Sequence, residues 1–276
     1  GDIPFSNYLD FLSFYRDENA FLPLVSISNN LQHAYLVMGG EQKEKISSIV
    51  RPWFEKVLEH IGFQPRPDEK HTTAILREQL LWHAAQSGSQ SAIEFAGDQL
   101  ARWMQDQPVH PDIMKSVLQI AALGGDQQTF AWLDQRFQSS QIEHERMNIL
   151  VALGCFKEKV SLQNALQYIL DTVPARNKFV PVVAMASNPY AIPLLWDWYV
   201  SNLEQIEQFH PMLYERVVAS IVPVAGMDHP QTVKDFFADY MQKTDKASDV
   251  IKLDAMENPW SLPPELDEKW RASLAG

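Results

Sequence analysis

The sequence predicts an all-α fold: a HEAT/armadillo-like stack of antiparallel helix pairs forming a curved superhelical array. Three observations carry that expectation. Apolar residues return at i, i+3, i+4 and i+7 along segment after segment. No segment keeps the strict alternation of apolar and polar residues that a half-buried strand needs. Turn residues fall between the periodic segments at short, fairly even intervals from about His71 to Asn258.

Residues 1–62 read as an N-terminal group of about three helices. The stretch from Gly62 to Lys70 carries Pro65, Pro67 and a run of charges, and reads as a surface loop rather than a domain boundary. A regular array of helix pairs then occupies residues 71–258. Ile93, Ala96, Leu100, Trp103 and Met104 mark one helical face, and Leu162, Ala165, Leu166, Ile169 and Leu170 mark another. Ile192, Leu195, Trp196, Tyr199 and Leu203 repeat the pattern, as do Val233, Phe236, Phe237, Tyr240 and Met241. Breaks are expected at Ser87-Gly88-Ser89, Gln107-Pro108, Gly124-Gly125-Asp126, Gly154, Asn188-Pro189 and Asp228-His229-Pro230. Asp126 and Ser161 are candidate N-caps, because a short side-chain oxygen satisfies free amides of a first turn. The spacing lies at or somewhat below the roughly 40–47 residues of HEAT and armadillo units. Such helices cannot bury their apolar stripes alone, and stacking successive pairs gives one continuous core. Residues 259–276 read as a C-terminal tail, so that residues 1–276 form a single helical-repeat domain.

Composition narrows the function. Of 276 residues, 46% are hydrophobic and 21% charged, with eight Trp and 14 Phe, which is globular and argues against disorder. The net charge of -12 opposes binding to phosphate backbones, and no Lys/Arg run provides a local exception, so nucleic acid is not an expected partner. The same balance gives no attraction to an anionic membrane, and the apolar runs are too short and interrupted to span one. Cys155 is the only cysteine, which fits a reducing compartment, and a cytoplasmic location is expected. Its setting, Ala152-Leu153-Gly154-Cys155-Phe156, predicts a buried, inert thiol. Gly1 in place of an initiator Met suggests a piece of a longer protein.

Catalytic motifs are scarce. A zinc peptidase needs two imidazoles on one helical face, as His-Glu-x-x-His supplies. His144-Glu145-Arg146-Met147-Asn148 has the first His and the Glu, but Asn148 stands at the second ligand position. It reads as a solvated helix face, with Glu145 and Arg146 open to pairing with neighbouring charges. There is no Gly-x-Ser-x-Gly elbow, Walker A loop or Gly-rich dinucleotide fingerprint. Paired acids such as Asp17-Glu18 and Asp267-Glu268 read as exposed charge clusters, since a general acid would need desolvation. No catalytic residue and no metal ligand is assigned to the chain.

Several soft motifs, taken in order, resemble one family. Leu9-Asp10-Phe11-Leu12 through Glu18-Asn19-Ala20-Phe21-Leu22-Pro23 resembles the first helix and second-helix entry of the C-terminal helical domain of aminopeptidase N-like zinc aminopeptidases. That group includes the endoplasmic-reticulum and puromycin-sensitive aminopeptidases. Leu24 stands where the family has Trp. Leu76-Arg77 with Gly88, Pro111-Asp112, and Glu145-Arg146 with Ala152-Leu153-Gly154 resemble successive family helices. Ala186-Ser187-Asn188-Pro189, Trp196-Asp197-Trp198 and Asn202 resemble its Asn-Pro turn and the helix after it. Met114 and Ala191-Ile192 depart from the family's Arg and Gly-Arg. Ala255-Met256-Glu257-Asn258 matches four letters of the family's Gly-Ala-Met-Glu-Asn exopeptidase motif, but Asp254 replaces the Gly and no zinc helix follows. It reads as a helix end stopped by Pro259.

The resemblance implies a role rather than a reaction. The chain would be the non-catalytic domain that closes over the active-site cavity of a zinc-dependent aminopeptidase and shapes peptide access. Its partners would be the catalytic domain of the same polypeptide and peptide substrates, with zinc bound in that other portion. Arg77 and Arg146 match family positions and are candidate substrate-cavity residues, able in principle to meet carboxylates. The plainer reading has them bridging neighbouring helices. The alternative for the whole chain is a free-standing helical-repeat scaffold for protein–protein interaction, with Asn188-Pro189-Tyr190 serving a groove. A self-contained carboxylate hydrolase ranks last.

Overall fold

The computed structural model describes residues 4–244. Ala255–Asn258, Pro259, the Asp267-Glu268 pair, the tail 259–276 and the last part of the 71–258 array lie outside the described residues. Among the described residues there are fourteen α-helices and two short 3-10 turns, and no strand. The chain forms two compact units, one ending at His229 and one beginning at Pro230.

The first unit opens with α1 (Phe5–Leu12), a 3-10 turn (Ser13–Tyr15), α2 (Phe21–Val37) and α3 (Gly40–Ile61). After the loop 62–70 come α4 (His71–Gln86), α5 (Gln90–Met104), α6 (Pro111–Leu123), α7 (Gln127–Ser139), α8 (Glu143–Leu153) and α9 (Lys159–Asp171). A second 3-10 turn (Ala175–Asn177) leads to α10 (Phe179–Ala186), α11 (Ile192–Ser201), α12 (Leu203–Ile206) and α13 (Pro211–Asp228). The second unit contains α14 (Pro230–Thr244), in which Phe236 stacks on Tyr240 and meets Phe237 edge-on.

The packing of the first unit follows a simple rule. Helix α4 lies between α2 and α6, α6 between α4 and α8, α8 between α6 and α10, and α10 between α8 and α13. The intervening helices flank this row: α3 packs on α2 and α4, α5 on α4 and α6, α7 on α6 and α8, and α11 on α10 and α13. Row helices are therefore covered on several sides. Eight residues of α6 are buried, among them Ser116 and Gln119, and eight of α4, including Arg77 and His83. In α4 this enclosure removes the one-sided stripe, while α6 keeps one.

Close approach needs small residues. A Cβ added at Gly154, at the end of α8, would lie 2.6 Å from the Ala184 Cβ and 2.7 Å from the Pro181 carbonyl oxygen of α10. Gly88 has φ +82, a left-handed conformation that lets the chain reverse between α4 and α5. Ser89 then caps α5, its hydroxyl accepting from the Ala92 amide at 3.3 Å.

Three local expectations are corrected. On α5 the buried face is Ala92, Ala96, Gln99 and Trp103, while Ile93 and Met104 remain exposed. The helix read through Leu203 stops at Ser201, because the Asn202 side chain donates back to the Trp198 carbonyl at 2.8 Å. Asp126 does cap α7, accepting from the amides of Gln128 and Thr129. Ser161, however, lies inside α9 and donates its hydroxyl to the Glu158 carboxylate, with Glu158 at the N-cap.

Candidate functional site

The row helices bring their C-terminal ends to one edge of the first unit. Tyr35 comes from the end of α2, Ala85 and Gln86 from α4, and Ile120, Leu123 and Gly124 from α6. Lys157 and Tyr190 follow α8 and α10 in the chain, and Ile93 reaches in from α5. Together they line an open cavity of about 290 Å³.

Each part has a local cause. Asn188 is buried and bridges two segments, its side-chain amide donating to the carbonyls of Gly154 at 2.9 Å and Phe156 at 2.8 Å. Its side-chain oxygen accepts from the Tyr190 amide at 3.0 Å, which sets the turn that presents the Tyr190 ring. The Lys157 ammonium sits 5.3 Å from that ring's centroid, a cation–π distance. Burial raises the Tyr35 hydroxyl pKa, with smaller contributions from Tyr190 and Glu44, so that phenol stays protonated and able to donate. The end carbonyls of α4, α6, α8 and α10 are largely capped by amides of the turns that follow, and the Gln86 side-chain oxygen is buried without a hydrogen-bond partner among the described residues. The cavity thus offers apolar walls, two phenol rings, one ammonium group and the Gln86 amide.

Neither arginine singled out by resemblance lines this cavity. Arg77 has no exposed side-chain area. Its Nε donates to the Gly62 carbonyl at 2.7 Å, one terminal nitrogen to the Ile61 carbonyl at 3.2 Å, and both terminal nitrogens to Glu69 at 2.6 and 2.5 Å. That fork ties α4 to the end of α3 and to the loop 62–70. The hydrogen bond from Arg77 holds the Glu69 carboxyl below the usual carboxylate range. Arg146 stacks its guanidinium 4.3 Å from the Phe137 ring centroid and reaches the Ser140 carbonyl at 3.5 Å.

The His144–Asn148 segment is not a solvated face. Glu145 and Asn148 are buried. The Glu145 carboxylate accepts from Arg136, whose guanidinium also lies 5.5 Å from the Trp103 ring. Asn148 pairs with His144 Nε2 at 3.1 Å. A carboxylate already held by an arginine and an imidazole already bonded to an amide do not fit a zinc ion. Among the described residues, no group of three or more His, Cys, Asp or Glu could hold a metal. Cys155 is buried, and burial pushes its thiol up to about 12.

Sequence reasoning missed Arg136, whose pairing with Glu145 joins two helices and leaves no spacing signature. It also missed the buried pair of Ser28 and His83, at 2.5 Å between α2 and α4, where burial lowers the imidazole to about 4. Of the cavity residues, only Tyr190 carried a signal, in Asn188-Pro189-Tyr190. The rest come from segments far apart in sequence.

Comparison with known proteins adds a family. The profile of the ERAP1-like C-terminal domain matches residues 1–257. Aminopeptidase 2 of Candida albicans is 22% identical over 260 residues, covering 90% of this chain and 28% of that protein. Aminopeptidase N of Mus musculus is 25% identical over 222 residues, covering 74% of this chain and 22% of that protein. Alanine/arginine aminopeptidase of Saccharomyces cerevisiae is 23% identical over 208 residues, or 73% of this chain and 24% of that protein. The chain therefore spans about a quarter of the length of these relatives. Other matches include "Aminopeptidase 2, mitochondrial" of yeast and "Membrane alanyl aminopeptidase" of Manduca sexta. Among the described residues, no helix is long and apolar enough to cross a membrane.

Proposed function

Since the chain belongs to the ERAP1-like C-terminal domain family, we propose that it is the substrate-enclosing domain of a zinc-dependent aminopeptidase. In this reading it carries no catalytic step of its own. Peptide hydrolysis and zinc binding reside in residues of the same polypeptide outside these 276. The domain covers the active-site cavity and limits which peptides reach it, as a single helical-repeat domain over residues 1–276, with its regular array over 71–258, acting in the cytoplasm. What supports the reading above all is the family match over residues 1–257, in a chain a quarter the length of aminopeptidases.

The helix-end cavity is the surface we assign to peptide. Its Tyr35, Gln86 and Tyr190 side chains suit the polar backbone of an extended peptide, and its Ile and Leu residues suit an apolar side chain. Arg77 and Arg146 act one step back. They fix the α3–α4 and α7–α8 joints that hold the row in register, instead of touching peptide.

The test is the mass of the native polypeptide, detected in its source with an antibody raised against this chain. A species several-fold heavier than 31.6 kDa, containing zinc and releasing N-terminal residues from peptides, is expected. A native species near 31.6 kDa, or a heavier parent lacking His-Glu-x-x-His, would remove the active-enzyme reading and leave a binding scaffold.

A further inference from the structure

A second cavity, of about 440 Å³, lies between α1 and α3, away from the helix-end cavity. We propose that it binds a small amphipathic anion: an apolar acyl body carrying one carboxylate. The inference stands apart from the peptidase reading.

The sequence builds one wall by helical spacing. Lys45, Ser48, Ile49, Pro52, Trp53 and Lys56 recur at i, i+3, i+4, i+7, i+8 and i+11 and so share one face of α3. Leu9 and Leu12 of α1 close the opposite wall, with Ser13 and Arg16 at its end. Leu9, Leu12 and Trp53 are buried and form an apolar floor. Pro52 lies inside α3 and lacks the amide that would bond the Ser48 carbonyl, which bends a helix and loosens its packing at that turn. The Trp53 indole N–H is buried without a hydrogen-bond partner among the described residues. A buried unpaired donor is uncommon, and marks a place where an acceptor is wanted.

The rim supplies the charge preference. Arg16, Lys45 and Lys56 stand around the mouth. Lys56 is held by Asp17. Arg16 and Lys45 have no ion-pair partner among the described residues. Asp10 also lines the wall, so two free cations face one carboxylate. This local excess of positive charge occurs in a chain of net charge -12. The hydroxyl of Ser13 adds a donor suited to a carboxylate, whereas the Ser48 hydroxyl already donates to the Lys45 carbonyl at 2.7 Å. Size and chemistry together favour a small ligand: the volume lies in the range of small-molecule pockets, with an apolar body and a few polar groups at one end.

Titration calorimetry on the 276-residue chain tests the assignment, with octanoate as probe. Acetate has the head without the tail, and octyltrimethylammonium has the tail with the opposite charge. Saturable one-site binding of octanoate is expected, at least about tenfold tighter than either comparator. The double variant Arg16→Gln/Lys45→Gln changes only exposed side chains and should weaken octanoate about tenfold or more. Trp53→Phe keeps an aromatic ring but removes the N–H with part of the indole, and should also weaken octanoate. Lys157→Gln, in the other cavity, should leave it unchanged. Absence of saturable binding overturns the proposal. So does equal binding of the ammonium probe, or indifference to the double variant.

Discussion

Replacing Arg77 with Ala should destabilise the first unit far more than it alters any ligand contact. The guanidinium makes four hydrogen bonds and is wholly buried. Truncation leaves the carbonyls of Ile61 and Gly62 without these donors and Glu69 without its counter-charge. Removing one partner of a buried ion pair costs about 3–5 kcal/mol. The Glu69 side chain keeps 14% exposure, a route to water that places the expected loss near the lower bound. At roughly 2–4 °C per kcal/mol for a chain of this size, a loss of about 3 kcal/mol lowers Tm by roughly 6–12 °C. Urea denaturation followed by circular dichroism measures the free-energy loss, and a thermal scan measures the Tm shift. Arg77→Lys should recover only part of the loss, because an ammonium cannot reproduce the planar fork. Glu69→Gln completes a double-mutant cycle, in which a strong coupling is expected. The sign of its pH dependence follows from the lowered Glu69 pKa. The wild-type advantage over Glu69→Gln is present above the carboxyl's ordinary pKa of 4.5 and is lost as pH falls through its lowered folded value. A loss below about 1 kcal/mol for Arg77→Ala, with weakened peptide binding, would refute this reasoning and return Arg77 to the substrate cavity.

Four further outcomes are expected. Asn188→Ala leaves two carbonyls and one amide without their partner, should cost about 2–4 kcal/mol in denaturant unfolding, and should loosen the turn that carries Tyr190. Gly154→Ala drives a methyl group into α10 and should cost about 1–3 kcal/mol by the same measurement. His83 is neutral in its buried site with a pKa of about 4, against 6.5 when unfolded. The unfolded chain therefore takes up its proton first, so stability should fall as pH drops from 6.5 toward 4, by up to ~3 kcal/mol, and His83→Gln should flatten that slope. The Cys155 thiol should resist a disulfide reagent in the native chain and react at once in urea, as its burial and raised pKa require.

How much the sequence discloses depends on how many neighbours a helix has. In α9, which packs against α7 and α10, the five residues at helical spacing from Leu162 to Leu170 are all buried. In α5 the same reading picks Ile93 and Met104, both exposed, because Ala92, Ala96 and Gln99 are small or polar and carry little apolar weight. Helices α4 and α8 have neighbours on several sides, so no stripe remains to be read. The polar residues that look functional in a linear reading are hidden for the same reason. Arg77 and Glu145 are polar letters in apolar segments, and only the fold reveals that Glu69 and Arg136 neutralise them. The helix-end cavity was the least legible feature, since Tyr35, Lys157 and Tyr190 meet only through the stacking of five helices.

The division of labour between joints and ends follows from that stacking. A row helix has its flanks in contact with neighbours, so any charge there must be paired internally or removed. Arg77–Glu69 and Arg136–Glu145 are such pairs, and both join an array helix to the segment beside it. The ends differ. The last turn of each row helix leaves carbonyls without intrahelical partners, and here many accept from amides of the following turn, as Ala85 does from Gly88 and Met185 from Asn188. Five such ends on one edge therefore make a surface whose shape is set by the turns between helices. Asn188 shows the coupling: one buried amide holds the α8–α9 loop and aims Tyr190. Substitutions in such turns can reshape the cavity while the joints remain intact. In the proposed reading, a change of ligand would come from a change of turn, while the paired arginines hold the row together.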